Sequence, residues 1–437
     1  MKRLYGDRAY DTAENPGSYW RASAPGYPRP PLTGNHHAEV AVIGAGYTGL
    51  NAALALARCG ISVAVLEAGE IGWGASGRNG GFCCLGGAKL SGSTMRGRYG
   101  DVEAGRFQAF QSEAIRYVAD LLDQAGMEAD RGPVGEVELA HSPRVWRNMQ
   151  REGGQLRSVE ELTADGIYAN GVYGGRLTPE GFPLHPMKYV LGLAEVSEAA
   201  GARIFADSNV LSLTGDSGSW TARTASGTVR ARKVLIATNG YSSEDLPDWL
   251  AGRILPVFSS ILVTRPLKDA ELTAQGWTNP MMAYDSRQLL HYFRLLPDGR
   301  FLFGMRGGLS AGRPEEAAIQ ALARKHFTSM FPAWANVRID YEWSGLVCLT
   351  SSLTPFAGPV PGADGLFAAF GWHGNGVAMA SFTGHEVGRM MAGENLRLPA
   401  PIAAPPRRVP FPSLRIPALR LAYRWMAWRD GPMPRPK

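Results

Sequence analysis

The stretch from Val40 to Gly49, reading Val-Ala-Val-Ile-Gly-Ala-Gly-Tyr-Thr-Gly, constrains this chain more than any other feature. The polar segment His36 to Glu39 leads into an uncharged apolar run, Val40 to Ile43, as a buried parallel strand requires. Three glycines follow at the spacing of a dinucleotide-binding turn. Gly44 lets the chain turn tightly, Gly46 lets the backbone approach a pyrophosphate, and Gly49 lets the next helix lie close to the strand. Helix formers dominate from Tyr47 to Cys59, and Gly60 ends the run. Ile61 to Leu66 reads as a second strand, with Glu67 about 20 residues beyond the turn, where a ribose hydroxyl should lie. The helix directs the positive end of its dipole at the phosphates. The expected ligand is a dinucleotide, held by Gly44, Ala45, Gly46, Tyr47, Thr48, Gly49 and Glu67.

A nicotinamide-dependent chain would continue from Glu67 into further strand–helix repeats. Here Gly69 to Phe82 reads Gly-Glu-Ile-Gly-Trp-Gly-Ala-Ser-Gly-Arg-Asn-Gly-Gly-Phe. So many glycines leave backbone amides free to wrap a ligand, and the interleaved serine, arginine and asparagine set the loop apart from a linker. With this loop the sequence resembles the D-amino-acid oxidase and sarcosine oxidase superfamily of FAD enzymes. Gly74 to Gly81 is most similar to its gamma-glutamylputrescine oxidase branch. The resemblance implies FAD as cofactor, with Gly74, Ala75, Ser76, Arg78, Asn79 and Gly80 running along the pyrophosphate, ribityl chain and flavin ring. Lys233 to Gly240, an apolar strand ending in small residues, resembles the family's second FAD-contact segment. It brings in Thr238 and Asn239, and Val210 is assigned to the same surface. Gly365 to Val377 reads as a strand and a glycine turn, followed by a helix from Ala378 to Met391. In the family this turn lies beside the flavin, which implies contacts from Gly371, Gly374, Asn375, Gly376 and Val377. A helix N-terminus there would stabilise negative charge on the reduced ring.

At 437 residues the chain exceeds one compact core, so two domains are expected. The expected class is α/β. A Rossmann-like FAD-binding domain built from 36–90, 185–250 and 345–395 is interleaved with an α+β substrate domain built from 91–184 and 251–344. A helix is expected from Met95 to Gly126, and strands at Ile254 to Arg265, Gln288 to Leu296 and Arg300 to Met305 suggest a mostly antiparallel sheet. Residues 1–35 are an N-terminal extension, and 396–437 a proline-rich linker with a basic aromatic tail. In that tail, Leu414 to Trp428 suits either docking on the protein's own surface or contact with an anionic membrane.

Hydrophobic content of 45% and charge of 19% exclude a disordered chain. The net charge of +6 is scattered and accompanies no nucleic-acid motif, so the expected partners are a small amine or amino acid and an electron acceptor, oxygen or another. Cys59, Cys83, Cys84 and Cys348 show neither metal-ligand spacing nor a disulfide framework. With no apolar signal core at the N-terminus and no apolar run of about 20 residues, a cytoplasmic location is expected, with membrane contact at most peripheral.

Oxidation of a C–N bond by hydride transfer to flavin N5 needs orientation and desolvation more than acid–base groups. The imine would then hydrolyse. Trp372 and His373 are placed beside the flavin by the resemblance and are the catalytic candidates. His291 and Tyr292 fall on opposite faces of an expected strand, so one of them faces the pocket. Arg306 could receive a carboxylate bidentately. The lysines that sarcosine oxidases use would fall at Ala378 and near Phe303, which argues against a sarcosine-type substrate and leaves oxidase and dehydrogenase action both open. Cys348 lies one residue out of register with the family's flavin-attachment cysteine, so non-covalent FAD is expected. Two other readings remain: a D-amino-acid-type dehydrogenase passing electrons to a quinone or carrier protein, and a non-catalytic flavin-binding protein.

Overall fold

The computed structural model describes residues 1–14, 17–216, 218–308 and 312–435. Its first sheet is built around parallel strands: Gly34–Ile43 lies between Val63–Leu66 and Gly227–Ile236, with Arg203–Phe205 and Leu366–Phe370 beyond. Phe356–Pro359 adds an antiparallel edge, and the hairpin of Ser212–Asp216 and Ser219–Arg223 extends from the strand Gly227–Ile236. The innermost strand residues are buried on both faces, which explains their uninterrupted apolar sequence.

Helices Tyr47–Arg58 and Gly376–Ala392 cross closely above this sheet. Gly384 and Gly388 make the crossing possible. A Cβ at Gly384 would lie 2.3 Å from the Thr48 carbonyl oxygen, and one at Gly388 would lie 2.6 Å from that of Ala52. The helix Gly92–Gln124, broken at Gly100 with φ 82°, packs on the same layer. The Phe110 ring packs at a tilt 4.7 Å from that of Phe382, and Tyr117 donates to Asn51 Oδ1 at 2.7 Å. The helix therefore leaves the substrate domain to which its sequence position assigned it.

The second sheet has the order Ile339–Thr350, Ile254–Thr264, Phe301–Arg306, His291–Leu295, Met282–Asp285, Glu136–Leu139, Gly175–Thr178, Gln155–Arg157. All its pairings are antiparallel except Met282–Asp285 with Glu136–Leu139. One face packs on an aromatic core that includes Phe293, Phe301, Phe303, Phe327 and Trp334. The other face points toward the first sheet and carries the site.

Both chain ends are structural. Tyr5 donates to the Pro256 carbonyl at 2.8 Å, and the buried Trp20 indole donates to the Asn79 carbonyl at 2.8 Å. The N-terminal residues are thus part of the core rather than an extension. After a short helical turn at Ala400–Ala403, the tail helix Arg415–Asp430 docks on the protein. Arg415, buried, holds Glu244 through two nitrogens at 2.6 and 2.8 Å. At its far end Asp430 accepts from the backbone N–H groups of Gln288 and Leu289. All four cysteines are free, and among the described residues no helix is long and apolar enough to cross a membrane.

Candidate active site

One long cavity runs between the two sheets. Its first wall is the turn after the strand Gly34–Ile43. Gly44 adopts φ +104° and a Cβ on it would press on the Ala237 carbonyl at 2.8 Å, while a Cβ on Gly49 would strike the Gly44 carbonyl oxygen. These two glycines close the turn onto its helix. Gly46 has a further role: a Cβ there would meet Ser76 Oγ at 2.9 Å, and that hydroxyl accepts the Tyr47 N–H at 3.1 Å. The second glycine thus admits the loop of residues 74–80 over the helix N-terminus. Glu67 accepts the Ala45 N–H at 2.8 Å and the Gly69 N–H at 3.3 Å, which holds one oxygen on each side of the turn. Burial pushes its carboxyl up, and these N–H groups oppose that shift.

The polar residues of the second wall mostly brace the loop. Asn79 donates to the Ala75 and Ser76 carbonyls at 3.0 Å each and accepts the Gly81 N–H at 2.8 Å. Arg78 lies over the Trp73 ring at 4.3 Å and donates to the Trp73 carbonyl at 2.6 Å and the Ser344 carbonyl at 3.2 Å, tying the loop to the second sheet. Asn239, at φ 44°, accepts the Gly371 and Trp372 N–H groups at 3.0 and 3.1 Å and so fixes the C-terminal turn. Thr238, Val210, Gly374, Asn375, Gly376 and Val377 all line the cavity; Gly49 and Gly371 do not, and serve the turns behind it.

The second sheet forms the third wall, and its register decides which side chains reach the cavity. Tyr284 pairs with Tyr292, Tyr292 with Gly304 and Ser259 with Arg306, so these residues share one face. The Tyr292 ring lies over Gly304, whose Cβ would sit 2.1 Å from it, and its hydroxyl hydrogen-bonds Ser259 at 2.9 Å. His291 points the other way, and its place as a substrate contact is corrected. It is 1% exposed, bonded to Asp285 through Nδ1 at 2.6 Å and to His326 through Nε2 at 2.8 Å. Burial alone would raise the Asp285 carboxyl, but His291 and Arg287 hold it well below the usual range. This chain of groups is a buried brace under the sheet.

Arg306 faces the cavity. It donates to the His373 carbonyl at 3.1 Å and has no acidic partner among the described residues. Lys89, which the sequence reading passed over, lies at the same end. Its side chain is exposed at the cavity wall. Burial, followed by the charge of Arg306, pushes its ammonium down to about 7. Glu136, also passed over, is 4% exposed and lines the cavity; burial, then Glu138, pushes its carboxyl up to about 8. Isolated in a loop and a short strand, neither residue carried a spacing signal.

Three features fit an FAD molecule. The Trp372 indole nitrogen and both His373 ring nitrogens are buried without a partner among the described residues. Burial, then Arg306 and Lys89, pushes His373 well below its ordinary value, so the ring is neutral. Gly74 and Gly376 have only ordinary contacts around a notional Cβ, at 3.6 and 3.4 Å, so the protein itself does not require glycine there and the space is left for a ligand. Finally, Cys348 does not reach the cavity: it is fully buried among Ile254, Phe356 and Phe370, with its thiol pushed up to about 12 by burial.

The DAO family model, described as FAD dependent oxidoreductase, matches residues 39–390. The chain belongs to this family. It is 30% identical to the gamma-glutamylputrescine oxidoreductase of Escherichia coli K12 over 95% of this chain and 99% of that one. It is 32% identical to the probable oxidoreductase OrdL of Haemophilus influenzae over 84% of this chain and 86% of that one. Among solved structures, glycine oxidase from Geobacillus kaustophilus superposes with a TM-score of 0.69 at 20% identity, covering 86% of this chain and all of the other. L-proline dehydrogenase from P. horikoshii superposes with a TM-score of 0.66, again at 20% identity, over 84% and 96%. The oxidoreductase uses FAD and acts on amines or amino acids, and its fold is that of the glycine oxidase structures.

Proposed function

We propose that this oxidoreductase oxidises a C–N bond of an amine that also carries a carboxylate, with a gamma-glutamylated amine as the substrate class. The observation that carries this reading is Arg306, a cavity-facing guanidinium whose only described acceptor is the His373 carbonyl. A carboxylate would complete its hydrogen bonding bidentately, and Lys89 would add a second cation at the same end. The likeness to gamma-glutamylputrescine oxidoreductase supports the choice of amine.

FAD would be held by the Gly44–Thr48 turn, Glu67, the loop of residues 74–80, Val210, Thr238, Asn239 and the Gly374–Val377 turn, and when bound it supplies the acceptor for the substrate's hydride. The chain's own groups do the rest. Arg306 and Tyr292 would orient the substrate, Trp372 and neutral His373 would border the reacting carbon and exclude water, and no acid–base triad is required. Anaerobic titration of the purified protein with gamma-glutamylated amines, polyamines and D-amino acids tests the reading. Bleaching of the flavin band by gamma-glutamylated amines supports it; bleaching only by simple D-amino acids overturns it.

A second reading concerns the electron acceptor. The outward face of the tail helix exposes Leu421, Trp425 and Trp428 among Arg420, Arg424 and Arg429. That face suits an anionic lipid surface, where a quinone could take the electrons. Flotation with anionic liposomes and reoxidation by a quinone, faster than by air, would support it; an unbound protein removes it.

A further inference from the structure

Glu136 is a buried acid on an interior strand, where glutamate is disfavoured. Register places it on the cavity face, because Glu136 pairs with Met282 and, two residues on, Glu138 pairs with Tyr284, which pairs with Tyr292. Its side chain has no cationic partner among the described residues. Its neighbour Cys84 is another cavity residue. The neighbouring Glu138 already holds Arg176 at 2.7 Å, so that cation is engaged elsewhere. An acid held this way costs stability unless something positive joins it.

The opposite charge sits farther along the same face. Arg306 belongs to the strand three places away in the sheet, about 14 Å across, and the register puts it four residues beyond the level of Glu136, about 14 Å along, so the two backbones are roughly 19 Å apart. The side chains reach toward the space between, and Cys84 lies in the field of both Glu136 and Arg306. The cavity therefore has a cationic end at Arg306, with Lys89 beside it, and an acidic end at Glu136, whose carboxyl ionises most readily when a cation joins it. Two groups on one carbon, as in a simple amino acid, cannot serve both ends.

We propose that Glu136 is the subsite for the ammonium of an elongated zwitterion whose carboxylate lies at Arg306, and that it selects substrates whose opposite charges are several bonds apart. The inference rests on the reading above that the cavity takes an amine bearing a carboxylate. A gamma-glutamyl diamine has this layout, with its α-carboxylate and α-ammonium on one carbon at one end and the diamine's free terminal ammonium at the other.

The test uses FAD-loaded protein and two ligand pairs, 6-aminohexanoate against hexanoate and 8-aminooctanoate against octanoate. Binding is read anaerobically from the flavin spectrum and from thermal shift. Wild type should bind at least one amino acid about 30-fold more tightly than its deaminated partner. Glu136→Gln should reduce that preference to about threefold or less while leaving the affinity for hexanoate and octanoate unchanged. Equal binding of both members of both pairs by the wild type overturns the proposal without recourse to any variant. A preference that survives Glu136→Gln overturns it as well. Bleaching by gamma-glutamylputrescine, measured alongside, separates this inference from the reading beneath it. Bleaching without a preference leaves the reading and removes the subsite. A preference without bleaching keeps the subsite and points to another elongated zwitterion. Absence of both removes both.

Discussion

Glu136→Gln should change how the stability of the FAD-loaded, substrate-free protein depends on pH. Burial pushes the folded-state carboxyl up to about 8, whereas in an unfolded chain it titrates at about 4.3. Between those values the folded protein keeps a proton that the unfolded chain has lost, so stability falls as pH rises through the window. Below about pH 4 both states are protonated and the penalty is absent; above about pH 8 it is complete. At 1.36 kcal/mol per unit the gap corresponds to roughly 3–5 kcal/mol, the lower figure allowing for relaxation around the ionised group.

For 437 residues at about 2.1 cal/mol/K each, the unfolding entropy is near 0.9 kcal/mol/K. The penalty then amounts to about 3–5 °C in Tm. Melting curves of wild type and variant at pH 5 and pH 9, at one scan rate, should therefore diverge by that amount, with the variant gaining at pH 9. Lys89 and the other titrating groups are common to both proteins and cancel in the comparison. A difference that stays within about 1 °C at both pH values would refute the reasoning, because it would mean that the carboxylate already has a counter-charge.

Arg306→Met should lower kcat/KM for a carboxylate-bearing amine by roughly 30- to 150-fold, the worth of about 2–3 kcal/mol in charged hydrogen bonds, with little change in FAD content. Trp372→Ala and His373→Ala, measured by stopped-flow flavin reduction, should slow turnover more than they reduce FAD content; parallel loss of both would mark a structural role. Gly384→Ala forces a methyl against the Thr48 carbonyl oxygen at 2.3 Å and should cost about 3 kcal/mol or more, read as a fall in Tm with loss of FAD retention. Acid precipitation should leave the yellow colour in the supernatant, since Cys348 lies outside the cavity; colour in the pellet would contradict that placement.

Local sequence carried the dinucleotide half of the fold because its rules act over a few residues. The strand Gly34–Ile43, the helix Tyr47–Arg58 and the strand Val63–Leu66 follow from apolar runs, helix formers and glycines at required positions. The strands Ile254–Thr264 and Phe301–Arg306 were legible for the same reason. Gly384 and Gly388 were not. In sequence they are two glycines inside a helix, and only the helix that crosses them gives them a purpose. The helix Gly92–Gln124 was found by its periodicity, but the layer it would cover is a long-range choice that periodicity does not encode. Residues 1–35 read as an extension because Tyr5 and Trp20 find their partners more than 50 positions away.

The site divides along the same line. Alternation along a strand showed that His291 and Tyr292 face opposite ways, but choosing between them needed Gly80 and Gly304, the two glycines that make room for the tyrosine ring. The other side of the sheet offers His291 an acid and a second histidine instead, and that pairing settles its direction. Arg306 was legible as an arginine ending an apolar strand, whereas Glu136 and Lys89 gain meaning only from what is missing around them. A buried charge is informative when its counter-charge is absent, and absence of a neighbour is a property of three-dimensional packing. Motifs therefore revealed the groups that would grip the cofactor, which is shared across the family. The groups that would choose the substrate emerged from unbalanced charge on one face of a sheet, where Arg306 and Glu136 stand three strands apart with Tyr284 and Tyr292 on the strands between them.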